Sequence, residues 1–86
     1  MNRSGYIYFV MADNGLVKIG RTKNIERRMD ELTFTSPIGM TLLSYFATTD
    51  YIKAEMRMHH KYRAKRKHGE WFALDVKDIE KIIKYK

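Results

Sequence analysis

Two tyrosines, a lysine, an arginine and a glutamate occupy positions where a plain core would be served by apolar side chains. Tyr6 and Tyr8 fall in Gly5-Tyr6-Ile7-Tyr8, and the two-residue period of a strand puts them on one face. Lys18 interrupts the apolar run of the next segment, Leu16-Val17-Lys18-Ile19-Gly20. Arg28 follows soon after. Groups that can exchange a proton, beside a cation that can hold an anion, are what a phosphate-handling site requires. Each also has a plainer reading: a strand tyrosine packs, and an edge-strand lysine guards a sheet against aggregation.

Glu55 is the acidic member of the set. At about 100° per residue, a helix from Tyr51 to Ala64 gathers Tyr51, Ile52, Met58 and Tyr62 around one side and Lys53, Arg57, Lys61 and Ala64 on the other. Glu55 projects near the middle of the apolar side, with His59 one turn later. A carboxylate there must be paired, protonated or bound to a cation. The two readings are a buried ion pair, with Arg28 a candidate partner, and a ligand for Mg²⁺, which favours carboxylate and phosphate oxygens. Arg21, Lys23, Arg27 and Arg28 crowd the start of an earlier helix and could form a phosphate site there. His59, His60 and His68 do not make a zinc site, because adjacent helical residues diverge and no cysteine completes the set.

The elements that position these residues follow from periodicity and turn chemistry. Residues 5–11 read as a strand, Asp13-Asn14-Gly15 as a type I′ hairpin turn, and 16–20 as an antiparallel return strand. Thr22 or Asn24 caps a helix from Ile25 to Leu32, with Ile25, Met29 and Leu32 as its apolar stripe. Thr33 to Gly39, with the only proline, is a loop, and Met40 to Ala47 a third strand. Thr48-Thr49-Asp50 starts the Tyr51–Ala64 helix. Lys65 to Gly69 is a basic turn, Glu70 to Leu74 a short extended segment, and Val76 to Tyr85 a last helix capped by Asp75, its stripe Val76, Ile79, Ile82 and Ile83. The order β-β-α-β-α-(β)-α describes a small α+β fold occupying residues 1–86 as one domain.

Composition narrows the function classes. Seventeen Lys and Arg against ten Asp and Glu leave a formal charge of +7 on 86 residues, a field suited to a polyanion. With no cysteine, a disulfide scaffold and a thiolate metal site are excluded. No apolar run approaches the ~18 residues of a membrane span, and the expected location is the cytoplasm. No Gly-rich phosphate loop or nucleophile elbow is present.

Taken together, Gly5-Tyr6-Ile7-Tyr8 and Val17-Lys18-Ile19-Gly20-Arg21, followed by Arg28, resemble the core of the GIY-YIG endonucleases. The resemblance is closest to a short branch, in phage, bacterial and fungal proteins, whose second motif reads Val-Lys-Ile-Gly. That branch tends to end in a Glu-x-x-x-His helix followed by Gly-Glu-Trp-Phe, here Glu55 to His59 and Gly69-Glu70-Trp71-Phe72.

The resemblance covers residues 5 to 75 and implies a three-stranded mixed or antiparallel sheet flanked by helices. It implies a nuclease acting on DNA, with RNA as an alternative substrate, through one Mg²⁺ or Mn²⁺ held by Glu55. The first-motif tyrosine falls on Tyr8, with Tyr6 the fallback. Lys18 occupies the second tyrosine position, Arg21 is the basic residue after the glycine, and Arg28 the helix arginine. The family's C-terminal asparagine has no counterpart. In this reading Arg28 and Arg21 stabilise charge on phosphorus, and Tyr8, with Lys18 or His59, takes a proton from the attacking water. Lys53, Arg57, Lys61 and the loop Lys65, Arg66 and Lys67 join Arg21, Lys23 and Arg27 as backbone contacts. Specificity would come from a homodimer, a partner protein or a branched or damaged substrate. The alternative is a non-catalytic DNA- or RNA-binding module on the same surface.

Overall fold

The computed structural model describes residues 2–35 and 39–84, with the side chains of 33–35 excepted. Its fold is α+β: a five-stranded antiparallel sheet and three helices. The chain runs β1 (Gly5–Ala12), β2 (Val17–Thr22), α1 (Ile25–Thr35), β3 (Met40–Thr48), α2 (Tyr51–Lys61), a 3-10 turn (Arg63–Lys65), β4 (Arg66–His68), β5 (Trp71–Phe72) and α3 (Val76–Ile83). The strand order is β3-β1-β2-β5-β4. The expected three-stranded sheet is therefore its larger part, β3-β1-β2, extended by two short strands. One of these, β4, occupies the stretch read as a basic turn.

β1 separates two cores by simple alternation. Ile7 and Phe9 pack with Val17, Ile19, Tyr62, Phe72, Leu74 and Ile82 under α2 and α3. Tyr8 and Val10 face the other way, with Leu32, Ile25 and Met29 of α1. The Ile25, Met29, Leu32 stripe is thus the buried face of α1. On α3 the stripe is narrower than expected: Ile79 and Ile82 pack, whereas Val76 and Ile83 are exposed.

The β1–β2 connection is not a type I′ turn. That turn needs positive φ at both Asn14 and Gly15, and only Gly15, at +85°, has it. Ala12 N donates to Leu16 O and Gly15 N to Ala12 O, which closes a longer loop. Asn24 caps α1, its side chain accepting from Arg27 N at 3.0 Å, while Thr22 Oγ1 accepts from Asn24 N. Asp50 caps α2 through Lys53 N. α2 stops at Lys61 rather than Ala64. Asp75 and Asp78 form a capping box that starts α3, and Tyr85 lies outside the described residues. No helix among the described residues is long and apolar enough to cross a membrane.

Candidate functional site

Tyr8 and Gly20 are direct cross-strand partners, so their side-chain positions share a face. A Cβ on Gly20 would lie 2.4 Å from the Tyr8 Cζ and hydroxyl. The ring therefore fills the space a side chain at position 20 would occupy, and its hydroxyl reaches across β2. Arg28, one turn into α1, donates from Nε to that hydroxyl at 3.0 Å and reaches Glu31 at 3.4 Å. Burial pushes the Tyr8 phenol up from its ordinary value; Arg28 pulls it back, and the Glu70 and Glu55 carboxylates push it further up. The Tyr8 contact holds the Arg28 guanidinium firmly charged.

Lys18 is not an edge residue. It pairs with Val10 on one side and Trp71 of β5 on the other, which overturns the edge-protection reading. Its side chain is only 14% exposed, and its ammonium lies 3.7 Å from Glu70 Oε2. The short strand β5 makes this contact: Val17↔Phe72 and Lys18↔Trp71 pair, and Ile19 N donates to Glu70 O at 3.0 Å.

On the opposite side of β2, α2 brings in Glu55 and His59. Glu55 is 9% exposed, and its ion-pair partner is Arg21, at 3.4 Å, not Arg28. Arg21 is opposite Ile7, hence on the α2 face, while Arg28 is on the other side of the sheet. Burial pushes the Glu55 carboxyl above its ordinary value, the neighbouring Glu70 carboxyl pushes it further, and Arg21 and His59 oppose both. Glu55 Oε2 is buried without a hydrogen-bond partner among the described residues. His59 Nε2 lies 2.9 Å from Ile19 O. A carbonyl only accepts, so Nε2 carries a proton, and in the neutral ring the lone pair is on Nδ1. The His59 ring rests against Phe72, 5.1 Å between centroids.

Glu70 joins the two faces at the edge of β2. One ligand atom each from Glu55, His59 and Glu70 lies within 4.8 Å of the others. Two carboxylates, one with a buried unpartnered oxygen, fit a hard divalent cation such as Mg²⁺ or Mn²⁺.

Glu70 is the residue the sequence reading left out of the site. Its signal was the Gly69-Glu70-Trp71-Phe72 motif, four residues with no periodicity that reach the site only through β5 pairing. Tyr6, two residues from Tyr8 on its face, packs edge-on to Tyr45, 6.0 Å between centroids. It lies apart from the carboxylate cluster.

The basic residues divide into three groups. Arg21 and Lys23 place their charges 5.6 and 5.7 Å from the Tyr51 ring centroid. Lys53, Arg57 and Lys61 are exposed along α2, and Arg27 on α1. In the third group, Arg66 donates to Gly69 O at 2.7 Å and Lys67 is exposed. Lys65 instead holds Asp75, at 3.1 Å, and Asp78 at the start of α3. These carboxylates raise its pKa, Asp78 most.

The T5orf172 domain matches residues 5–85. Such domains are found in phage and bacterial nuclease-like proteins and are related to GIY-YIG-like endonucleases. No match to the chain was found among curated proteins or among solved structures.

Proposed function

The chain belongs to the T5orf172 domain family, and from that premise we propose that it is a metal-dependent endonuclease that hydrolyses DNA phosphodiester bonds. The observation that carries this reading is the convergence of Glu55, His59 and Glu70 within 4.8 Å, whose two carboxylates also act on the phenol of Tyr8, the partner of Arg28.

Glu55 and Glu70 would hold one Mg²⁺ or Mn²⁺, which when bound offsets charge on the phosphate and the leaving oxygen. Arg28 and Arg21 bind the non-bridging oxygens through planar guanidinium groups whose donors match phosphate geometry. Tyr8 acts as a hydrogen-bond donor. Its oxygen already accepts from Arg28, and burial keeps the phenol protonated, so its own O–H is left to orient the phosphate or the water. Lys18, ion-paired to Glu70, positions that carboxylate. The proton acceptor is His59, whose Nδ1 lone pair is left available by the Ile19 contact. Lys53, Arg57, Arg27 and Lys67 supply backbone-phosphate contacts that read no sequence.

A second reading, a binding module without turnover, is supported by Lys18 at the position where the resemblance has a second tyrosine. Supercoiled plasmid incubated with the protein and Mg²⁺ or Mn²⁺ separates the two. Nicking that EDTA abolishes is the expected result. Binding without nicking at any metal concentration would leave only the module.

A further inference from the structure

A trough separate from the carboxylate cluster opens where β1 begins and β2 and β3 end. Its volume is about 700 Å³, and Ser4, Tyr6, Lys23, Thr48 and Thr49 line it together with backbone. Among the described lining residues the one charged side chain, Lys23, is positive, and Ser4, Tyr6, Thr48 and Thr49 carry hydroxyls. Among the described residues Tyr6 is the one aromatic in the lining, and it is partly buried.

Two features tie this trough to the candidate site. Tyr6 is two residues from Tyr8 on the same strand face, about 7 Å away along the chain, which is the scale of one nucleotide step. The Tyr51 ring also joins them. Arg21, the ion-pair partner of Glu55, lies 5.6 Å from its centroid, and Lys23, which lines the trough and donates to Asn2 O at 3.3 Å, lies 5.7 Å from it. The two cations thus share one aromatic ring between the candidate site and the trough.

We propose that the trough is a subsite for one unpaired nucleotide next to the scissile phosphate, its base lying on the Tyr6 ring and its phosphate on Lys23. This rests on the nuclease reading and deepens it by naming the substrate: DNA carrying a flap, bulge or single-stranded stretch. Bases in a duplex keep their faces stacked on one another, so only an unpaired or extruded base can offer its face to an aromatic side chain. A phosphate contact at Lys23 alone would not distinguish the two forms; Tyr6 does.

The test is fluorescence anisotropy with the full chain in EDTA, which blocks turnover. It compares a labelled duplex carrying one unpaired nucleotide with the same duplex fully paired. The wild-type chain is expected to bind the bulged form about tenfold or more tighter. Tyr6→Phe should keep that ratio and Tyr6→Ala should bring it to about one. Should Tyr6→Ala fail to fold, Tyr6→Leu preserves apolar packing without an aromatic face and should also lose the ratio. Equal wild-type affinity for the two duplexes overturns the subsite while leaving the nuclease reading intact. So does a Tyr6→Ala or Tyr6→Leu variant that weakens both duplexes equally. Absence of binding to either duplex overturns both.

Discussion

Arg28 Nε donates to the Tyr8 hydroxyl at 3.0 Å, although one residue lies on α1 and the other on β1. The bond fixes the direction of the remaining Tyr8 proton, because an oxygen that accepts from a guanidinium turns its own O–H away. It also ties α1 to the sheet through β1.

The first prediction concerns that hydroxyl. Tyr8→Phe keeps a buried ring of nearly the same shape, so stability should fall by only about 1 kcal/mol, the net worth of one hydrogen bond. Nicking should fall about a hundredfold or more, the usual loss when an oriented donor is removed from a charged transition state. Urea unfolding and plasmid nicking of the same preparation check the split. A variant that unfolds at much lower urea would make Tyr8 a core residue only.

Gly20 is expected to be as sensitive as any charged residue in the site. A Cβ there would sit 2.4 Å from the Tyr8 Cζ and hydroxyl, so Gly20→Ala must displace the ring. Overpacking of this kind costs about 1–3 kcal/mol, and the displaced hydroxyl would leave Arg28. The double variant Gly20→Ala with Tyr8→Leu should recover stability without recovering activity. If it is less stable than the single variant, steric conflict at Tyr8 is not the cause.

Much of this site could be read from sequence because its residues sit on long, periodic elements. Tyr8 alternates with apolar residues on an eight-residue strand, Arg28 is on a helix with a clear stripe, and Glu55 and His59 are one turn apart on α2. Lys18 was legible as an interruption but not in its cause. An edge lysine and a lysine between two strands look identical until β5 is known to pair with β2. β5 is two residues long, too short for any period, and its position is decided by Phe72 entering the core opposite Val17. Glu70 is carried to the cluster by the same pairing. The Arg21–Glu55 contact depended on which face of β2 meets α2, a long-range fact that no local pattern encodes.

Glu55 should impose a pH dependence opposite to that of an ordinary paired carboxylate. Its folded-state pKa is raised above the usual 4.5, chiefly by burial. The folded chain thus prefers the protonated form. Its contribution to stability is fully present below 4.5 and is lost as pH rises through the folded-state value. In EDTA, the melting-temperature difference between wild type and Glu55→Gln should move against wild type between pH 4.5 and pH 8. Mn²⁺ should reverse the sign by binding only the folded wild-type chain, worth about 2.7 kcal/mol at a hundredfold excess over Kd. A difference that is flat with pH, or a Glu55→Gln chain that Mn²⁺ stabilises equally, would remove Glu55 from the metal centre.

Lys65 and Arg57 carry the same charge but should behave differently. Lys65 holds Asp75 and Asp78 at the start of α3, and the backbone bond from Asp78, followed by Lys65, keeps the Asp75 carboxyl below its ordinary value. Lys65→Gln should therefore lower the unfolding midpoint. The part carried by Asp75 is present above its ordinary pKa and fades as pH falls through the lowered one, so acid should narrow the gap to wild type. DNA affinity should keep its salt dependence, since that ammonium is already engaged. Arg57 is exposed on α2, so Arg57→Gln should leave the midpoint alone and reduce the slope of log K against log salt by about one. Titrations of both variants at several salt concentrations decide the matter. A reduced slope for Lys65→Gln would make it a phosphate contact after all, and an unchanged slope for Arg57→Gln would take that face of α2 out of the DNA path.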